Sequence, residues 1–244
     1  MIQYLYQQAH KVETNLVATT RDIRPEDFEL MAQIPGVLGV ARDEQLRVFW
    51  CTPSYCSIAG KGSTVEEMIG TTVEDVVPQS VAQERIQVHK QVMDTGKIVS
   101  HYRLMNDTRV VCTVFPLDEQ AFGHKGVFIL VQDASAESKY FEGYDISLMS
   151  TANLQQLAPL TLRELEVLYL VAKGLQTKKI AEHLHRSEKT VEHHINAIHT
   201  KLKTDSRAQL VRWTSERGIH SFAEEEWAVL VKGIKKVRQD RSNK

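Results

Sequence analysis

The stretch TKKIAEHLHRSEKTVEHHINAIHTKL, Thr177–Leu202, decides how the last third of the chain folds. Ile180, Ala181 and Leu184 form one apolar edge, and His185-Arg186 breaks the pattern. Ser187 then stands where a helix cap belongs. Val191, Ile195, Ile198 and Leu202 follow it at spacings of 4, 3 and 4. A serine oxygen at the cap can accept a first-turn N–H, and that spacing is one face of an α-helix. Thr177 is expected to cap the shorter helix in the same way. Two capped helices joined by a tight turn make a helix-turn-helix, with its second helix at Glu188–Leu202.

Outward from this pair, the sequence remains helical. Thr161-Leu-Arg-Glu164 has the spacing of a capping box and opens a helix over Leu160–Lys173, with Leu165, Leu168 and Val171/Ala172 inward and Gly174 as its stop. Asp205 or Ser206 is expected to cap a fourth helix, with Ala208, Val211 and Leu210 facing in and Gly218 at its end. Residues 159–220 thus read as an all-α, four-helix domain. Residues 221–244 add an amphipathic helix over 223–239, carrying Trp227, Leu230, Val231 and Ile234, and a tail, RQDRSNK, expected to lack structure.

The face of Glu188–Leu202 opposite the apolar stripe carries Lys189, Glu192, His193 and Asn196, with His199 and Thr200 further on. In a helix-turn-helix this face lies in the major groove. An asparagine amide there can pair with adenine, and a glutamate can accept from cytosine. Glu192, His193 and Asn196 are therefore the expected base contacts. Lys178, Lys179, Ser187, Lys189, Thr190, Lys201 and Lys203 are the expected phosphate contacts, with Arg186 and Arg207 nearby. Ser187 adds the N–H groups of a helix start, a ready anion site. His193 and His194 are adjacent, and neighbours on a helix point apart, so no metal pair is expected of them.

Leu160-Thr161, Glu164-Leu-Glu166-Val167-Leu168, Gly174, Lys179-Ile180-Ala181, Leu184, Ser187, Lys189-Thr190-Val191, His194, Ile198 and Lys201-Leu202 together resemble the LuxR/GerE family of bacterial DNA-binding domains, over about 60 residues. The resemblance implies a four-helix domain that binds two half-sites of double-stranded DNA as a homodimer, with RNA polymerase as a further partner. It implies that the fourth helix, about 206–217, helps to pair the copies. It also places the base-reading positions on Glu192, His193 and Asn196. Many members carry a basic residue at the place of Glu192, and an acidic one there favours a cytosine-side contact.

The first half reads differently. Leu5, Ala9, Val12 and Leu16 make one helical stripe within residues 1–25. Over 26–134, Gly36–Ala41, Leu46–Cys51, His101–Met105, Val110–Pro116 and Gly126–Gln132 are strand candidates, with Arg42-Asp43-Glu44 as a polar turn between the first two. Tyr55–Ala59, Thr64–Ile69 and Gln83–Thr95 are helical pieces, the last with Ile86, Lys90 and Met93 on one face and Gly96 as its end. Five strands with helices inserted after the second make an α+β domain around an antiparallel sheet. Residues 135–158 form a polar connector. Ile34-Pro-Gly-Val37, Thr52-Pro-Ser-Tyr55-Cys56, Glu66-Glu-Met-Ile-Gly70, Asp94-Thr-Gly-Lys97, Phe115-Pro-Leu117 and Gly126–Asp133, in that order, resemble a PAS sensor domain. That resemblance implies a five-stranded sheet that binds a small ligand or pairs with another protein. Tyr55-Cys56-Ser57 lacks the flanks of a flavin-type cysteine motif, and His89 lies too close to Thr95-Gly96 for a haem ligand, so flavin and haem are both disfavoured. No cofactor is identified, and a small ligand of unknown identity is left open.

Charge separates the two halves. Residues 1–155 carry 13 Lys and Arg against 20 Asp and Glu, whereas 156–244 carry 17 against 11. The basic half is the one that would meet a polyanion. Cys51, Cys56 and Cys112 are odd in number and read as free thiols. MIQYLYQQAHKVE lacks the features of an export signal, and no apolar run has membrane-spanning length, so a cytoplasmic protein without membrane contact is expected. Nothing offers a nucleophile–base pair, a P-loop or a glycine-rich nucleotide turn, so an enzyme is not expected. The expected function is DNA-binding transcription regulation under control of the sensor. The alternative is a protein–protein interaction regulator whose helix-turn-helix has lost DNA binding, to which the acidic Glu188 and Glu192 lend weight.

Overall fold

Alternating apolar residues build one twisted sheet, and both of its faces are covered. The computed structural model describes residues 23–59, 64–135 and 146–242. The expected stripe at Leu5–Leu16 lies outside them. A short helix α1 (Pro25–Ala32) leads into β1 (Leu38–Asp43) and β2 (Val48–Cys51). Then come α2 (Pro53–Ala59), α3 (Val65–Met68), α4 (Val73–Val76) and the longer α5 (Gln79–Thr95), followed by β3 (Val99–Met105), β4 (Thr108–Pro116), α6 (Glu119–Phe122) and β5 (Gly126–Asp133). Thr64 caps α3 by accepting the Glu67 N–H, and Gly96 ends α5 in the left-handed conformation.

Among the described residues the strand order is β2-β1-β5-β4-β3-β6, six strands rather than five. The sixth, β6 (Ile146–Leu148), comes from the segment expected to be a polar connector, and it runs parallel to β3 with Ser100 opposite Ile146 and Tyr102 opposite Leu148. Three residues are too few to show a period amid polar neighbours, yet they close the exposed edge of β3. The expected turn at Arg42-Asp43-Glu44 is also corrected. Strand β1 continues through Asp43, and the chain turns afterwards, with Leu46 in the left-handed region.

Register assigns the faces. Val40 opposes Ile129, and Cys112 opposes Val131. These residues pack with Tyr55, Met68 and Val92 beneath the helices. On the other face Ala41 opposes Phe128, and α1 lays Phe28 against Trp50, with ring centroids 4.5 Å apart and planes 15° apart. The side of α5 that is buried is Val81, Ala82, Arg85, His89 and Val92, and not the expected Ile86, Lys90 and Met93. Two of those five are basic, so apolar spacing selected the wrong side.

The helical part comprises α7 (Leu162–Ala172), α8 (Thr177–His183), α9 (Glu188–Leu202), α10 (Arg207–Ser215), a 3₁₀ turn at Ile219–Ser221 and α11 (Glu224–Ser242). Thr161 and Glu164 form the expected capping box, and Ser206 caps α10. The cap of α8 is Gln176, without a side-chain hydrogen bond, and Thr177 is its first helical residue. On α10 the buried residues are Leu210 and Thr214, with Ala208 exposed. The tail expected to lack structure continues α11 to Ser242, and Arg238 donates to the carbonyl of Ala158 at 3.2 Å.

The two parts are bonded to each other. The buried Asp107 carboxylate, at the β3–β4 turn, accepts the N–H groups of Gln155, Gln156 and Leu157 at 3.0, 2.6 and 3.2 Å. Glu84 on α5 accepts from the backbone and hydroxyl groups of both Ser150 and Thr151. Arg109 lies over the Tyr102 ring at 3.9 Å and faces Phe222 at 5.3 Å. Val237 of α11 packs with Val73, Val77, Val81 and Ala82 of the sheet domain.

Candidate nucleic-acid interface

Helix α9 has the expected two-sided character. Val191, Ile195, Ile198 and Leu202 are buried in the core shared with α7 and α8, leaving the opposite side free of packing duty. Its start is fixed by Ser187, whose Oγ accepts the Thr190 N–H at 3.2 Å and lies 2.8 Å from the Thr190 hydroxyl. The first N–H groups of such a helix have no intrahelical acceptor and face outward with the positive end of the dipole. His185 takes the left-handed conformation that the turn from α8 requires.

Glu192, His193 and Asn196 are all exposed, together with Lys189, and they share one side of α9. Of the expected phosphate contacts, Lys178, Ser187, Lys189 and Lys203 are exposed and Thr190 is half-buried. Lys203 ends α9 in the left-handed conformation. Lys179 is exposed and pairs with Glu182 at 2.9 Å. Lys201 stands apart from the others. Its ammonium is 2.8 and 2.6 Å from the two oxygens of Glu164, which is nearly buried beneath it. Burial disfavours the charge on Glu164, but hydrogen bonds from Lys201 and Thr161 outweigh it and hold the pKa below the ordinary carboxylate value. This ion pair ties the end of α9 to the start of α7. Arg207 donates to the Leu175 carbonyl, and His199 Nδ1 lies 2.7 Å from the Thr204 hydroxyl. Both bonds fix the frame around α9. Neither was visible in the sequence, because each joins residues whose partners depend on the path of a turn.

Residues 158–214 match the model for bacterial regulatory proteins of the luxR family, and residues 31–139 match that for the PAS fold. The helical domain belongs to the LuxR family, and the sheet domain is a PAS fold. The LuxR-type domain is 46% identical over 63 residues to the oxygen regulatory protein NreC of Staphylococcus aureus, a span of 26% of this chain and 29% of that relative. The chain therefore spans less than a third of the length of the curated relatives it matches. A solved structure of the VqmA dimer of Vibrio cholerae, described with LuxR-type receptors, is 24% identical and covers 85% of this chain and 93% of that one, with a TM-score of 0.43. The PAS domain of BvgS from Bordetella pertussis is 19% identical over 46% of this chain and 86% of that one, with a TM-score of 0.39. Among the described residues, no helix is long and apolar enough to cross a membrane.

Proposed function

We propose that the protein is a cytoplasmic, sequence-specific DNA-binding regulator that acts as a homodimer, each copy laying α9 in one of two successive major grooves. The observation that carries this reading is the division of α9: its apolar stripe is spent in the core, while Lys189, Glu192, His193 and Asn196 stand exposed on a domain of the LuxR family. In this reading Asn196 pairs with adenine, Glu192 accepts from cytosine and His193 completes the readout. Lys178, Lys179, Ser187, Lys189, Thr190 and Lys203 meet phosphates, and Lys201 serves mainly to brace α9 through Glu164. The outward side of α10, with Ala208, Gln209 and Arg212 exposed, is available to a second copy. RNA polymerase is the further partner such a regulator would recruit or exclude.

The PAS domain is proposed to set the spacing of the two reading helices through a population shift driven by a small ligand or a protein partner. The grip of Asp107 and Glu84 on residues 150–157 supports that role, since it joins the sheet domain to the lead-in of α7. Gel-shift titration of the full chain against fragments of its own genome tests the proposal. Binding should weaken steeply as salt rises, and Asn196→Ala should lose discrimination at one base pair. Exposure of the acidic Glu188 and Glu192 favours a second reading, an interaction protein without DNA affinity. That reading gains if neither Asn196→Ala nor Lys189→Ala changes retention of any fragment.

A further inference from the structure

Five basic side chains inside the PAS core have no part in the DNA reading. Arg42 lies on β1, His101 and Arg103 alternate on β3, and Arg85 and His89 sit one helical turn apart on α5. Register puts the three strand residues on a single face. Arg42 opposes Val127, His101 opposes Cys112, and Arg103 opposes Val110. Those three partners belong to the cluster that the helices cover, and the buried side of α5 presents Arg85 and His89. All five are between 2% and 7% exposed. They lie close enough that Arg85 feels both other guanidiniums, and His89 feels all three together with His101.

Their charge meets little compensation among the described residues: Arg42 feels the Tyr55 hydroxyl and, more weakly, Asp43. Among the described residues, no carboxylate oxygen lies within 4.0 Å of Arg42, Arg85 or Arg103. Arg42 donates to the carbonyls of Leu46 and Thr71 at 2.7 and 3.2 Å. Arg103 reaches the Met105 sulfur at 3.1 Å, a weak acceptor, and its Nε has no partner among the described residues. His89 Nδ1 and both ring nitrogens of His101 are likewise buried without partners among the described residues. A guanidinium does not shed its proton at physiological pH, and a buried ion without a counter-ion is costly. Apolar side chains of similar volume would pack this core without that cost, so packing alone does not account for three guanidiniums. Burial first, and the guanidiniums second, drive His101 down to about 3 and His89 well below its ordinary value. Both imidazoles are thus neutral, each with one donor and one acceptor nitrogen.

We propose that this cluster is the ligand site of the PAS domain and that it takes a small organic carboxylate, gripped by Arg85 and Arg103, with His89 and His101 reading its uncharged polar atoms. The proposal rests on the sensor reading above and gives it a ligand class. The planar fork of arginine matches a carboxylate with two parallel hydrogen bonds, and the positive field of three guanidiniums excludes cations.

Thermal unfolding of the full chain tests it, with sodium formate, acetate, pyruvate, succinate or benzoate compared with sodium chloride at equal ionic strength. At least one carboxylate should raise Tm saturably by about 3 °C or more above the chloride control, and Arg103→Met should abolish that rise. If Arg103→Met does not fold, Arg85→Met serves the same purpose. The site is refuted if no carboxylate in the series exceeds chloride, or if the rise survives undiminished in the variants that fold. The readout needs no DNA. A carboxylate response in a chain that binds no DNA keeps the site and removes the regulator reading, whereas DNA binding without any carboxylate response does the reverse.

Discussion

Glu164 holds two helices at once. It closes the capping box of α7 through the Thr161 N–H at 2.6 Å and receives the Lys201 ammonium from α9. Replacing it with alanine should cost about 2 kcal/mol in chemical denaturation, from the lost cap and the stranded ammonium. Its folded pKa lies below the unfolded one, so its contribution is present at neutral pH and lost as pH falls through the folded value. Wild-type stability should therefore fall more steeply than that of Glu164→Gln as pH drops through and below the ordinary carboxylate range. Asn196→Ala, on the exposed side of α9, should leave Tm unchanged and weaken binding to the preferred DNA by about 1–3 kcal/mol. The stripe of Val191, Ile195, Ile198 and Leu202 was legible in the sequence because apolar residues at a helical period declare the side they bury. Arg42, Arg85 and His101 were not legible as core, because a buried polar residue breaks that same rule, and such breaks concentrate where function needs them.

At the scale of elements, what could be read depended on whether a segment's fate was local. Capped helices such as α7 and α9 carry their start signals within four residues, and the structure begins each beside its expected cap. Strand β6 is specified instead by the open edge of β3, some 45 residues earlier in the chain, which no local pattern reports. Helix α5 was found but turned the wrong way, since its inward side carries two basic residues. Helix α11 hides a similar long-range demand at Gly233, where an added Cβ would overlap the carbonyl oxygen of Ser150. Alanine is the better helix former by about 1 kcal/mol, so an isolated helix would gain from Gly233→Ala. In the whole protein the same change should lower Tm by several degrees, because backbone has to move. A variant at least as stable as wild type would show that α11 does not pack against the connector as described.

Across the whole molecule, the two folds were legible from ordered sequence motifs, but the contacts between them were not. Asp107 reads as an ordinary turn residue, yet it is 1% exposed and accepts three backbone N–H groups from residues 155–157. Asp107→Ala should cost on the order of 3 kcal/mol, since those donors are left without a charged acceptor. Amide hydrogen exchange at residues 150–157 should rise in this variant while the protection of β4 and β5 is retained. Equal exchange in the two proteins would mean that the grip does not order the lead-in to α7. If the PAS domain governs the LuxR-type domain through this segment, Asp107→Ala should also blunt any effect of a bound carboxylate on DNA binding. DNA reading by paired α9 helices is tested by a hydroxyl-radical footprint of the full chain on DNA selected from a randomised pool. Two protected half-sites about 34 Å apart are expected, with base discrimination that Asn196→Ala removes at one position in each. No footprint at low ionic strength, or one that Asn196→Ala and Lys189→Ala leave unchanged, would contradict it.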